Sequence, residues 1–126
     1  VNKFYINYSY GGVKTNYYYD SNKNLIALVK GNDTLLFYYD SDGSATSFSY
    51  NGTMYFYVKN LQGDVIRIID LAGTEVASYV YDAWGNIKDT KGDLTVRELN
   101  PIRYRGYVYD TETDLYYWII LILMGM

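Results

Sequence analysis

The chain has 126 residues, of which 49% are hydrophobic, 20% charged and 19% aromatic; the length fits one domain, and the profile is far from the charge-rich, aromatic-poor one of disordered chains. There is no histidine and no cysteine, which removes thiol nucleophiles, histidine-based triads, imidazole or thiolate zinc centres and haem or iron–sulfur ligation, and leaves the redox compartment open. With a formal charge of -3 and its 11 Lys and Arg scattered among 14 acids, the chain lacks the basic stripe that nucleic acid requires.

The chain opens at Val1 with no initiator methionine and no charged-then-apolar leader, and so reads as a piece of something longer or processed. Tyrosine, at 18 residues against 4 Phe and 2 Trp, brings an apolar face, a wet tip and high strand propensity, and points to β-structure. Strand-like runs rich in β-branched and aromatic residues fall at 4–10, 25–29, 34–39, 53–58, 65–69 and 75–81. Turn signals separate them at Gly11-Gly12, 20–23, 31–33, 40–43, Asn51-Gly52, 60–63, 70–73 and 82–85. Asn51-Gly52 is the strongest hairpin signal, because both residues tolerate the positive φ of a type I′ turn.

The turns alternate between two classes, one opened by Asp20, Asp40, Asn60 and Asp82, the other by Gly11, Gly31, Asn51 and Asp70. The spacing predicts a β-hairpin repeat of about twenty residues, with each class on one edge of an antiparallel meander. The best copies share the form Asp/Asn-x-x-Gly: Asp40 with Gly43, Asn60 with Gly63, and Asp82 with Gly85 and Asn86. The Asp or Asn accepts from a backbone N–H two residues on, and the Gly supplies left-handed geometry. Lys23 stands where the first copy needs Gly, so that turn requires a costlier or different geometry. The run 65–69 puts Ile66 and Ile68 on one side and Arg67 between Val65 and Ile69 on the other, a wall with two semi-apolar surfaces. The predicted fold is all-β, an open antiparallel meander of successive hairpins over 1–99, followed by a distinct motif at 100–117 and an apolar tail at 118–126.

The Tyr-Asp repeats and the run Asn100-Pro101-Ile102-Arg103-Tyr104-Arg105-Gly106-Tyr107-Val108-Tyr109-Asp110-Thr111-Glu112-Thr113 closely resemble the RHS/YD-repeat proteins and their repeat-associated core, over about residues 17 to 117. The resemblance implies a wall segment of a large β-shell that encapsulates a C-terminal toxin or effector, with the rest of the shell and that cargo as partners and a secreted or cell-surface bacterial location. The family's core continues beyond Leu-Tyr-Tyr into a further conserved segment linked to self-cleavage. Here Asp114 replaces the expected Gly, and from Trp118 onward the pattern gives way to WIILILMGM, so self-cleavage is not expected. A shifted frame or truncated copy is the leading reading of that tail, ahead of a closing strand; it is too short to span a bilayer as a helix.

Bland readings outweigh sharper ones elsewhere. Asp40-Ser41-Asp42-Gly43 starts like a calcium loop, but its Gly comes at the fourth position and Asn51 stands where a bidentate Glu belongs. Tyrosine-rich faces could stack on sugar rings, giving a surface carbohydrate-binding module as the alternative function, although cross-strand ladders explain them more simply. Glu98, Asp110, Glu112 and Asp114 have no catalytic spacing. Arg103 and Arg105 share a strand face and read as structural ion-pair partners of Glu112 or Asp110. No catalytic residue, cofactor or metal is expected, and the chain is not expected to be an enzyme.

Overall fold

The computed structural model of the chain describes residues 4–10, 12–103, 109–110 and 115–116. Nine strands follow in order: β1 (Phe4–Tyr10), β2 (Val13–Tyr19), β3 (Leu25–Lys30), β4 (Asp33–Tyr39), β5 (Ala45–Tyr50), β6 (Thr53–Lys59), β7 (Val65–Ile69), β8 (Glu75–Tyr81) and β9 (Ile87–Gly92). Their order in the sheet is their order in the chain. Connections of only a few residues leave no room for a parallel crossover, so the product is an open antiparallel meander. A short helix, α1 (Leu94–Leu99), follows, and then a two-residue ladder of β10 (Tyr109–Asp110) with β11 (Leu115–Tyr116). The fold is all-β with one short helix.

The chain divides into two compact units, Val1–Tyr55 and Phe56–Met126. In the first, β4 alternates strictly, with Leu35 and Phe37 buried and Thr34, Leu36 and Tyr38 exposed. Register carries that alternation sideways: Leu28 lies opposite both Tyr17 and Leu35, and Phe37 lies opposite Phe48. The Phe37 and Phe48 rings are 6.2 Å apart, and Phe48 stacks on Tyr55 at 5.4 Å. Leu35 and Phe48 are at most 1% exposed, each contributing roughly 1.5–3 kcal/mol by burial. The other face keeps Leu36 and Tyr38 partly open beside Ser49 and Ser47, so in this unit one face is core and the other mixed. Asn51 and Gly52 have φ of 49° and 91°, the two positive angles that a type I′ turn needs.

In the second unit Val65, Ile68, Ala77 and Tyr79 are buried on β7 and β8, and Val96 of α1 and Ile102 are buried with them. The hairpin strip ends at Gly92, before the predicted boundary at 99, for a local reason. Gly92 has φ 98°, and a Cβ there would overlap the Val76 carbonyl oxygen; that same carbonyl accepts the Asp93 N–H at 2.7 Å. Asp93 then caps α1, its Oδ1 accepting the Val96 N–H at 3.0 Å, a first-turn donor that would otherwise lack a partner.

Candidate functional site

The repeat's turn residues form a single device used five times among the described residues. At Asp40 the side-chain Oδ1 accepts the N–H groups of Asp42 (2.9 Å) and Ser44 (3.0 Å). The Gly43 N–H donates to the Asp40 carbonyl, and the Asp40 N–H to the Ser44 carbonyl. The same four bonds recur at Asp20, Asn60, Asp70 and Asp82. In every copy the strand register slips just before the turn opener, between residues 18/19, 38/39, 58/59, 68/69 and 80/81, as a β-bulge does. Gly43, Gly63, Gly73 and Gly85 have φ of 83° to 88°; Lys23 adopts 65° in the same place. The first turn thus keeps the geometry and accepts the side-chain cost of about 1 kcal/mol. Asp70, assigned by position to the other class of turn, has the same loop chemistry on the opposite edge of β7.

Two copies add a side-chain pair with the roles exchanged. Asn60 donates to Asp64 at 2.9 Å, whereas Asn86 donates to Asp82 at 3.0 Å. The Asn86 side-chain bond, with the N–H groups of Asn86 and Trp84 and the charge of Lys88, holds the Asp82 carboxyl below the usual carboxylate range. At Asp40, Oδ1 accepts two main-chain N–H groups, and among the described residues no group of three acidic side chains is placed to hold a metal ion.

The tyrosine before the turn has its own task. Tyr39 Oη donates to the Leu25 carbonyl at 2.7 Å, and Tyr81 Oη to the Val65 carbonyl at 2.6 Å. Leu25 and Val65 are the first strand residues after the preceding turn, so the hydroxyl clips the open end of its own hairpin, opposite the loop that closes it. Burial pushes the Tyr39 hydroxyl well above the usual phenol range, with the charge of Asp20 acting in the same direction. Lys59 holds the equivalent position before Asn60.

Residues 93–103 build the most connected cluster, in the second unit. Asn100 is fully buried, and its side chain uses both oxygen lone pairs and both N–H donors. Oδ1 accepts from Tyr57 Oη (2.6 Å) and the Ile102 N–H (3.4 Å). Nδ2 donates to Tyr79 Oη (3.3 Å) and the Ile102 carbonyl (2.8 Å). A buried amide satisfied at all four positions rigidifies its surroundings, whereas a missing partner costs its full desolvation. Tyr79 Oη donates in turn to the Arg97 carbonyl at 2.7 Å, and burial raises its ionisation above the usual range against the opposing Arg103 charge.

Arg103, 3% exposed, donates from Nε to the Asn100 carbonyl (3.0 Å) and from Nη2 to the carbonyls of Arg97 (2.8 Å) and Glu98 (3.3 Å). These are end-of-helix oxygens, and a cation there also meets the negative end of the helix dipole. The guanidinium lies 5.0 Å from the Tyr79 ring centroid, a cation–π distance. Its own carbonyl accepts the Val65 N–H at 3.0 Å, and Arg97 Nη1 reaches the Thr90 carbonyl and hydroxyl. The segment is therefore pinned to β6, β7, β8 and β9 in turn.

Of the motif singled out in the sequence, Asn100, Pro101 and Arg103 are buried in this cluster. Tyr109 and Asp110 form β10, opposite Tyr116 and Leu115. Tyr104, Arg105, Gly106, Glu112, Asp114 and the tail 118–126 lie outside the described residues. Arg103 donates to main-chain carbonyls of α1 and Asn100; Glu112, a carboxylate partner that the sequence suggested for it, lies outside the described residues. Asp93, Arg97, Tyr57 and Tyr79 escaped the sequence reading. The last two had a visible signal, an aromatic three residues before four of the five turn openers, at Tyr17, Phe37, Tyr57 and Tyr79. Among the described residues no helix is long and apolar enough to cross a membrane.

No protein-family model matches the chain. Curated relatives do. The chain is 42% identical over 109 residues to the tRNA3(Ser)-specific nuclease WapA of Bacillus spizizenii. It is 41% identical over 109 residues to the tRNA nuclease WapA of Bacillus subtilis strain 168, and 42% identical over 118 residues to the tRNA(Glu)-specific nuclease WapA of Bacillus subtilis subsp. natto. Each match takes in 84% of this chain and 5% of the relative. The chain therefore resembles one short stretch of WapA, about a twentieth of its length.

Proposed function

We propose that this chain is a wall segment of an RHS/YD-repeat shell, a structural element that encapsulates the C-terminal toxin or effector of a longer secreted or cell-surface protein and carries no catalytic step itself. The observation that supports this reading best is the identity of above 40% to a stretch only 5% as long as proteins named tRNA nucleases, borne on a chain without histidine or cysteine whose regularities are all hairpin chemistry. A repeated loop, a tyrosine clip and a buried anchor are devices for extending a sheet and fixing its end. The nuclease of the relatives then belongs to the other parts of their sequence.

Limited proteolysis of the full-length protein that carries this segment tests the role. The C-terminal domain resists cleavage in the unaltered protein and becomes sensitive when Gly85→Val or Asn100→Ala loosens the wall; equal sensitivity before and after removes the encapsulation reading. The 126-residue chain alone should leave tRNA intact in the same buffers. Trp84, 81% exposed, favours the carbohydrate-binding alternative, and saturable glycan-array binding lost in Trp84→Ala would establish it.

A further inference from the structure

We infer that tyrosine at the third position before the turn opener, in two consecutive repeats, is the recognition element that selects where the Asn-Pro-x-Arg segment docks on the repeat sheet. The position is aromatic before four of the five turn openers, Tyr17, Phe37, Tyr57 and Tyr79, and is Arg67 before Asp70, so an apolar ring there serves the twenty-residue repeat. Phe37 has no hydroxyl, so among the described residues 57 and 79 are the consecutive pair that offers two, and both meet a single side chain. Asn100 Oδ1 accepts from Tyr57 Oη at 2.6 Å, and its Nδ2 donates to Tyr79 Oη at 3.3 Å.

Geometry makes the pair selective. Tyr57 lies on β6 and Tyr79 on β8 with β7 between them, which sets the two strands roughly 9–10 Å apart. One amide, with its acceptor on one hydroxyl and its donor on the other, bridges the two strands, and Ile68 of β7, which pairs with Tyr57, is fully buried. Ring chemistry alone does not suffice. Phenylalanine, as at position 37, would leave the fully buried Asn100 amide one partner short at its oxygen or its N–H. The segment's second anchor, Arg103, reads the Tyr79 ring face at 5.0 Å and so reports the same repeat. In a longer chain with many such repeats, the segment would seat on a Tyr/Tyr pair and reject a pair containing Phe.

Hydrogen exchange on the full chain tests this at the Val65 amide, which donates to the Arg103 carbonyl, and at the Ile102 amide. Tyr57→Phe and Tyr79→Phe should each speed exchange there about fivefold to tenfold, the scale of one net hydrogen bond, while the β3–β4 amides hold. Tyr39→Phe, which removes a hydroxyl of the same kind elsewhere, should leave both amides unchanged. In an Asn100→Ala background Tyr57→Phe should have little further effect, because the bond it removes is already gone. A chain that fails to fold in plain buffer is read in trimethylamine N-oxide, which favours the folded state. Unchanged exchange in both Phe variants, equal acceleration by Tyr39→Phe, or full additivity with Asn100→Ala would each overturn the inference.

Discussion

A side-chain oxygen two residues behind the N–H it binds decides most of the local structure. Asp40, Asn60, Asp70 and Asp82 each hold their loop so that the fourth residue must adopt a left-handed φ, and at 63 and 85 that residue is Gly at 88° and 87°. Gly85→Val should destabilise the chain by about 1–3 kcal/mol, read as a shift in urea midpoint. Lys23 at φ 65° is the converse case, and Lys23→Gly should stabilise by about 1 kcal/mol or less. Titration gives a further test at this scale. The hydroxyls of Tyr39 and Tyr79 ionise above the ordinary phenol range in the folded chain, so the unfolded state loses protons first. Stability is level below about pH 10 and falls above it. Absorbance at 295 nm should show both tyrosines titrating only as the chain unfolds. Asp82 has the opposite sign: its folded carboxyl is held low, and what it adds is present at neutral pH and lost below about pH 4.

Six of the nine meander strands and the turns were legible because each carries its cause locally, whereas β2, β5 and β9, diluted by Lys, Asn, Ser or Asp, were not among the predicted runs. Alternation marked β4, the Asn51-Gly52 pair marked its own turn, and the Asp/Asn-x-x-Gly form marked three of the five like loops. Asp70 opens the β7–β8 turn, where its class put it, but its loop is set by its side chain and Gly73 and has the chemistry of the other class. Helix α1 was invisible for a physical reason: six residues carry no periodic stripe, and its start depends on Gly92 meeting the Val76 carbonyl across the sheet. The anchor was visible only as a motif. That Asn100 and Arg103 bind tyrosine hydroxyls and helix carbonyls is a matter of tertiary placement, which spacing along the chain does not encode. Asp93→Ala should cost about 1 kcal/mol through the lost cap, with faster exchange confined to the amides of α1, which separates it from a global loss.

For the whole molecule the question is what a strip of hairpins is for. Residues 118–123, Trp-Ile-Ile-Leu-Ile-Leu, combine strand propensity with no charge and no proline, the composition that drives edge-to-edge association. Deleting 118–126 should raise the soluble monomer fraction in sedimentation; unchanged or lower solubility would mark the tail as a packed part of the fold. On the proposed reading the hairpins extend a longer sheet, and a stretch that matches about a twentieth of each WapA relative is one part of a wall and not an enclosure. An electron cryo-microscopy map of the full-length protein is the most direct test. The account predicts that the segment corresponding to residues 4–92 appears as consecutive strands of a longer sheet around a closed volume occupied by the C-terminal domain, and a map with that domain outside, or with this segment as a free-standing module, would contradict it.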